Sequence, residues 1–101
     1  MKVYILLASW LNSTESISNE IIAVCNTLEK ARIILSDQLN EDLQYNNYEN
    51  VEANGINFEE FDLFKSVKER LPIPTNYVIL YDGDEDSKYD TNYLEYYIGI
   101  F

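Results

Sequence analysis

The stretch Asp82 to Glu95, DGDEDSKYDTNYLE, holds six carboxylates, Tyr89, Tyr93 and a single cation, Lys88. Side chains of these types can chelate a hard cation, run two-carboxylate hydrolysis or attract a basic surface. Acids at the first, third and fifth positions from Asp82 suggest a calcium loop. The sixth position, where a sharp turn wants glycine, is Ser87; the seventh is Lys88; the twelfth, which should be a bidentate glutamate, is Tyr93. The EF-hand pattern fails at all three, which leaves at most a weak cation site in the 82–90 loop and no assigned metal residue.

Catalysis has little to work with. The chain has no histidine, so the commonest general base and metal ligand is missing. Its three scattered glycines make no phosphate loop, there is no G-x-S-x-G elbow, and Cys25 has no second thiol to form a zinc pair or a disulfide. A two-carboxylate hydrolase is chemically permitted, but abundance of acids does not make a site. The expectation is a protein that is not an enzyme and takes no cofactor.

Recognition fits the composition better. Eighteen acids against seven basic residues give a formal net charge of −11, and thirteen of those acids fall in two windows, Glu41–Asp62 and Asp82–Glu95. Such density raises the local negative potential, steers a basic partner and makes the encounter sensitive to salt. Direct binding to nucleic acid or to an anionic membrane is disfavoured. The expected partner-binding residues are Asp82, Asp84, Glu85, Asp86 and Asp90, with Glu59, Glu60 and Asp62 as a second patch. Tyr93 and Tyr97 are the expected aromatic anchors, because stiff amphipathic rings dominate interface energetics.

These residues need a scaffold. At 101 residues and 47% hydrophobic, the chain suits one domain spanning 1–101. Lys2–Trp10 and Ile21–Cys25 are rich in β-branched, aromatic and aliphatic residues and predict two antiparallel strands. The first has only one positive charge and no small-residue cleavage site, so it reads as a strand and not as a secretory leader. Leu28, Ala31, Leu35, Leu39 and Leu43 recur at steps of three and four, which places them on one helical face; Asn26 and Glu29 offer a capping box. The Asn-rich stretch after that helix, QYNNYENVEANGIN, breaks the period and reads as an irregular connection with Gly55 at a turn. Phe58, Phe61, Phe64, Val67 and Leu71 return to helical spacing before Pro72, with Asn57 and Glu60 as a cap, although INFEEFDLF also reads as a strand.

Tyr77–Tyr81 and Tyr93–Phe101 complete the set as a hairpin. In the last strand Leu94, Tyr96, Ile98 and Ile100 should face the helices, and Tyr93, Glu95, Tyr97, Gly99 and Phe101 the other side. The order β-β-α-α-β-β predicts an α+β fold, an antiparallel sheet of about four strands with one or two helices on one face. The uncovered face is then expected to be aromatic and rimmed by acids.

The opening KVYIL followed by IIAVCNTLEKA resembles small bacterial and phage proteins in which a hairpin leads into a helix near Thr27. The acidic, Asn- and Tyr-rich profile is similar to phage-encoded inhibitors of host defence, including anti-CRISPR proteins and DNA mimics. The single cysteine, Cys25, reads as a small buried hydrophobe in a reducing compartment, which makes the cytoplasm the expected location. The resemblance implies an inhibitor docking on a basic, nucleic-acid-handling protein such as a nuclease or CRISPR effector. Two alternatives stay open: an immunity protein or antitoxin neutralising a basic toxin, and a homodimeric structural protein that buries its second sheet face.

Overall fold

A computed structural model describes residues 1–11, 17–45, 48–53, 56–57, 63–90 and 92–101. The elements run β1 (Tyr4–Leu11), β2 (Ile17–Cys25), α1 (Leu28–Tyr45), β3 (Asn50–Ala53), β4 (Ile56–Asn57), α2 (Leu63–Glu69), β5 (Tyr77–Tyr81) and β6 (Tyr93–Ile100). Among the described residues the strands form one sheet, ordered β2-β1-β6-β5-β3-β4, in which every pairing is antiparallel.

The α+β class read from the sequence holds, with a larger sheet than four strands. The addition is β3 with the two-residue β4, in the stretch expected to be an irregular connection. Asn50-Val51-Glu52-Ala53 alternates polar and apolar residues, but four residues are too few to stand out in an Asn-rich background. Pairing with β5 supplies what local pattern does not, setting Asn50 against Tyr81 and Ala53 against Val78. Gly55 lies outside the described residues.

Helix α1 carries its expected stripe: Ala31, Leu35 and Leu39 are fully buried, and Leu28 and Leu43 pack against them from the edges. They meet Leu6 and Ala8 of β1, Val78 and Leu80 of β5, and Tyr96 and Ile98 of β6 in the main core. Full burial of each leucine is worth roughly 1.5–3 kcal/mol of transfer free energy. The cap differs from the expected box, since Thr27 Oγ1 accepts the Lys30 N–H at 3.2 Å and Asn26 instead takes the exposed Lys30 ammonium at 3.1 Å.

The other side of α1 ties down the segment leading into β5. Ser36 Oγ donates to the Ser66 carbonyl, Asn40 Nδ2 donates to the Val67 carbonyl, and Arg32 donates through Nε and Nη2 to Asn76 Oδ1. The helical reading of the 58–71 stretch holds for α2, whose Val67 joins the core; residues 58–62, including Phe58 and Phe61, lie outside the described residues. Helix α2 closes with the Leu71 N–H on the Ser66 carbonyl at 2.8 Å and the Arg70 N–H on the Val67 carbonyl at 3.3 Å, with Arg70 left-handed at φ 56°. This is a Schellman ending with arginine where glycine is usual.

Strand β2 forms a sheet edge, paired only with β1 among the described residues, and a register shift opposite Leu6 and Leu7 leaves Ile22 as an extra residue. No helix is long and apolar enough to cross a membrane among the described residues.

Candidate functional site

The face of the sheet away from α1 carries Leu11 of β1, Tyr77, Ile79 and Tyr81 of β5, and Tyr93 of β6 in a second, smaller core. Ile79 is fully buried and Tyr81 and Tyr93 nearly so. Here the β5–β6 connection folds back across the sheet. It leaves β5 through Asp82 and Gly83, whose φ of 85° suits glycine, and is anchored to the start of β3. Asp82 Oδ1 accepts the Glu49 N–H at 3.1 Å, Glu49 Oε2 accepts the Gly83 N–H at 3.1 Å, and Asn50 Nδ2 donates to the Gly83 carbonyl at 2.6 Å.

A single 3-10 turn, Glu85–Ser87, then delivers Lys88 and Tyr89 to the sheet. The Lys88 ammonium sits 3.3 Å from Glu52 Oε2 and 5.9 and 5.8 Å from the ring centres of Tyr81 and Tyr89. Glu52 Oε1 also accepts the Tyr81 hydroxyl at 2.6 Å. The Tyr89 ring meets Tyr93 edge-on at 5.2 Å, a favourable aromatic geometry. Its hydroxyl lies 3.0 Å from that of Tyr77, and Glu95 Oε2 stands within hydrogen-bonding reach of both, 3.1 Å from Tyr89 and 2.5 Å from Tyr77. Burial, then the hydrogen bond to Glu52, pushes the Tyr81 phenol up to about 12. Burial and the Glu95 contact raise Tyr77 further.

The consequence is electrostatic. The one lysine of the acidic window points its charge inward at Glu52, while Asp84, Glu85, Asp86 and Asp90 are all exposed on the outer side of the same loop. No protein-family model, curated protein or solved structure matches this chain. The site therefore has to be read from its own chemistry.

Of the residues singled out in the sequence, Asp84, Glu85, Asp86 and Asp90 come together on the loop. Asp82 stands apart from them, half-buried at the loop base. Tyr93 is only 6% exposed and is a packing residue under Tyr89, whereas Tyr97 is 51% exposed on the outer face. Glu59, Glu60 and Asp62 lie outside the described residues. Sequence reasoning missed the clasp formed by Lys88, Tyr89, Glu52, Glu95 and Tyr77. One signal was available: Lys88-Tyr89 interrupts an otherwise acidic loop with the two side chains able to cover an aromatic sheet. Among the described residues no three acids converge as metal ligands.

Beyond the clasp, the outer face runs on as an apolar surface over β6, β1 and β2. Tyr97 pairs across from Leu7, which in turn lies opposite Ile21. Ile21, Val24 and Phe101 are each more than 60% exposed. The Phe101 ring lies close over Gly99, where a β-carbon would stand 2.6 Å from it.

Proposed function

We propose that the protein is a cytoplasmic, non-catalytic inhibitor that docks on the basic surface of a nucleic-acid-handling protein, in the manner of phage-encoded anti-CRISPR or DNA-mimic proteins, and blocks it sterically. The observation that carries this reading is the inward turn of Lys88, which leaves the outer side of the loop to Asp84, Glu85, Asp86 and Asp90. A loop pinned at its base and clasped by Lys88 and Tyr89 presents those charges with little ordering left to do on binding, which favours affinity. The exposed ring of Tyr97 and the apolar surface beside it offer desolvated contacts next to the charge. Neutralisation of a basic toxin would use the same electrostatics.

The test is retention of a nuclease or CRISPR effector on immobilised protein, compared with a variant carrying Asp84→Asn, Glu85→Gln and Asp86→Asn. Binding that falls with rising salt and is lost in the variant supports the reading. Retention that is indifferent to both sinks it. A second reading, a homodimer, draws on edge strand β2, where Ile17, Ile21 and Val24 are 64%, 61% and 62% exposed; long apolar edges are sites of strand pairing between chains. Light scattering decides it, a dimer weighing twice the chain's 11.8 kDa.

A further inference from the structure

A concave site of about 470 Å³ opens at one end of the sheet, mainly on its helix side, where α1 meets β1, β2 and the start of β6, with Leu11 and Tyr93 of the far face also lining it. Its walls include the aromatic side chains of Trp10, Tyr48 and Tyr96 and the carboxylates of Asp42, Asp82 and Glu20; no lysine or arginine lines it among the described residues. Its size falls within the range of small-molecule sites. Asp42 Oδ2 accepts the Tyr96 hydroxyl at 2.5 Å, and Asp82 Oδ1 the Glu49 N–H at 3.1 Å. Burial first, then the charge of Asp42, then that of Asp82, raises the Tyr48 phenol, so all three groups share one local field. Carboxylates disfavour an anion, and a wholly apolar occupant would strip water from Asp42 and return no hydrogen bond. A cation with an apolar stem answers both walls, since aromatic rings and carboxylates each attract it.

We infer that this cavity binds an organic cation, an alkylammonium or alkylguanidinium group, held by Asp42 among Trp10, Tyr48 and Tyr96. Such a group belongs either to a free polyamine or to a lysine or arginine side chain of a partner. The inference goes beyond the docking role of the acidic loop: residues 84–86 do not line the cavity, so the failure of one leaves the other standing.

Trp10 is the chain's one tryptophan, so its fluorescence reports on the cavity. Titration with butylguanidinium and butylammonium at matched ionic strength should give a saturable change, and neutral pentanol should give none. Asp42→Asn should weaken the cation roughly tenfold or more, the scale expected for losing a charge-assisted contact, while Glu29→Gln at the far end of α1 should bind as the unaltered protein does. Should Asp42→Asn fail to fold, Tyr48→Phe, which keeps the ring, should retain binding and Tyr48→Leu should lose it. Spermidine and a blocked Gly-Arg-Gly peptide separate the sources: tighter binding of the first assigns a free polyamine, of the second a protein side chain, and both uphold the site. A response matched by sodium chloride or pentanol, or unchanged in both Asp42→Asn and Tyr48→Leu, overturns it.

Discussion

Asp42 is a carboxylate held at a cost. Burial foremost, and the neighbouring Glu41 charge, raise its pKa above the ordinary 3.8 against the opposing hydrogen bond from Tyr96. A carboxyl raised on folding holds its proton more tightly in the folded chain, so stability falls as pH climbs from 3.8 through the raised value. Asp42→Asn keeps an acceptor for Tyr96 and removes the charge; thermal melts should show a higher midpoint at neutral pH and a smaller gain on acidification. Tyr81 works in the opposite part of the scale. Its phenol is raised, so the stabilisation it contributes is whole below pH 10 and is lost as pH rises through about 12. Phenolate absorbance and circular dichroism followed together should show alkaline unfolding in that window, with Tyr81→Phe less sensitive to it. Ionisation of Tyr81 well below pH 11 with the fold intact would contradict the buried contact with Glu52.

At the scale of elements, two junctions can be tested by substitution. Arg70 ends α2 in the left-handed region, which costs a non-glycine residue about 1 kcal/mol or more, and its ion pair with Asp37 at 3.1 Å is largely exposed and worth little. Arg70→Gly should therefore raise stability by about 0.5–1 kcal/mol in urea unfolding. The clasp behaves in reverse. Lys88 and Glu52 are 24% and 17% exposed, so Lys88→Met leaves a largely buried carboxylate with the Tyr81 hydroxyl but no counter-charge and should cost about 1–3 kcal/mol. It should also free the 82–92 connection, seen as faster proteolysis there than elsewhere. An unchanged cleavage pattern would mean that Tyr89 and the hydrogen bonds at the loop base hold the connection without Lys88. In the main core, Leu35→Ala should cost about 2–5 kcal/mol, because fully buried leucines leave cavities that the structure refills only in part.

For the whole molecule the governing quantity is the net charge of −11. Self-repulsion of that size should make moderate salt stabilising, with the unfolding midpoint rising between low and physiological ionic strength as screening shortens to about 8 Å. The same salt should weaken capture of a basic partner, chiefly through a slower on-rate. Opposite signs in the two measurements separate charge used for recognition from charge merely tolerated. If capture holds steady while stability rises, the acids serve solubility, and the apolar surface around Ile21, Val24 and Phe101 is left as the place for contact between copies.

The sequence alone determined what local pattern can carry. The leucine stripe of α1, the period-two alternation of β6, the charge balance and the lack of histidine are all readable over one element or by counting, because each depends on backbone periods or on composition. Tertiary structure decided the rest. The strand Asn50–Ala53 exists because β5 lies beside it, Tyr93 is buried because Tyr89 returns from a loop to lie on it, and Lys88 faces inward because Glu52 waits about 36 residues back in the chain on that face. The aromatic and acidic cavity gathers Trp10, Asp42, Tyr48, Asp82 and Tyr96 from distant stretches. Most of these contacts join residues far apart in sequence, set by strand pairing and loop closure, so no local window contains both partners; Tyr89 and Tyr93 share a window, but only the fold of the connection back onto the sheet brings their rings together.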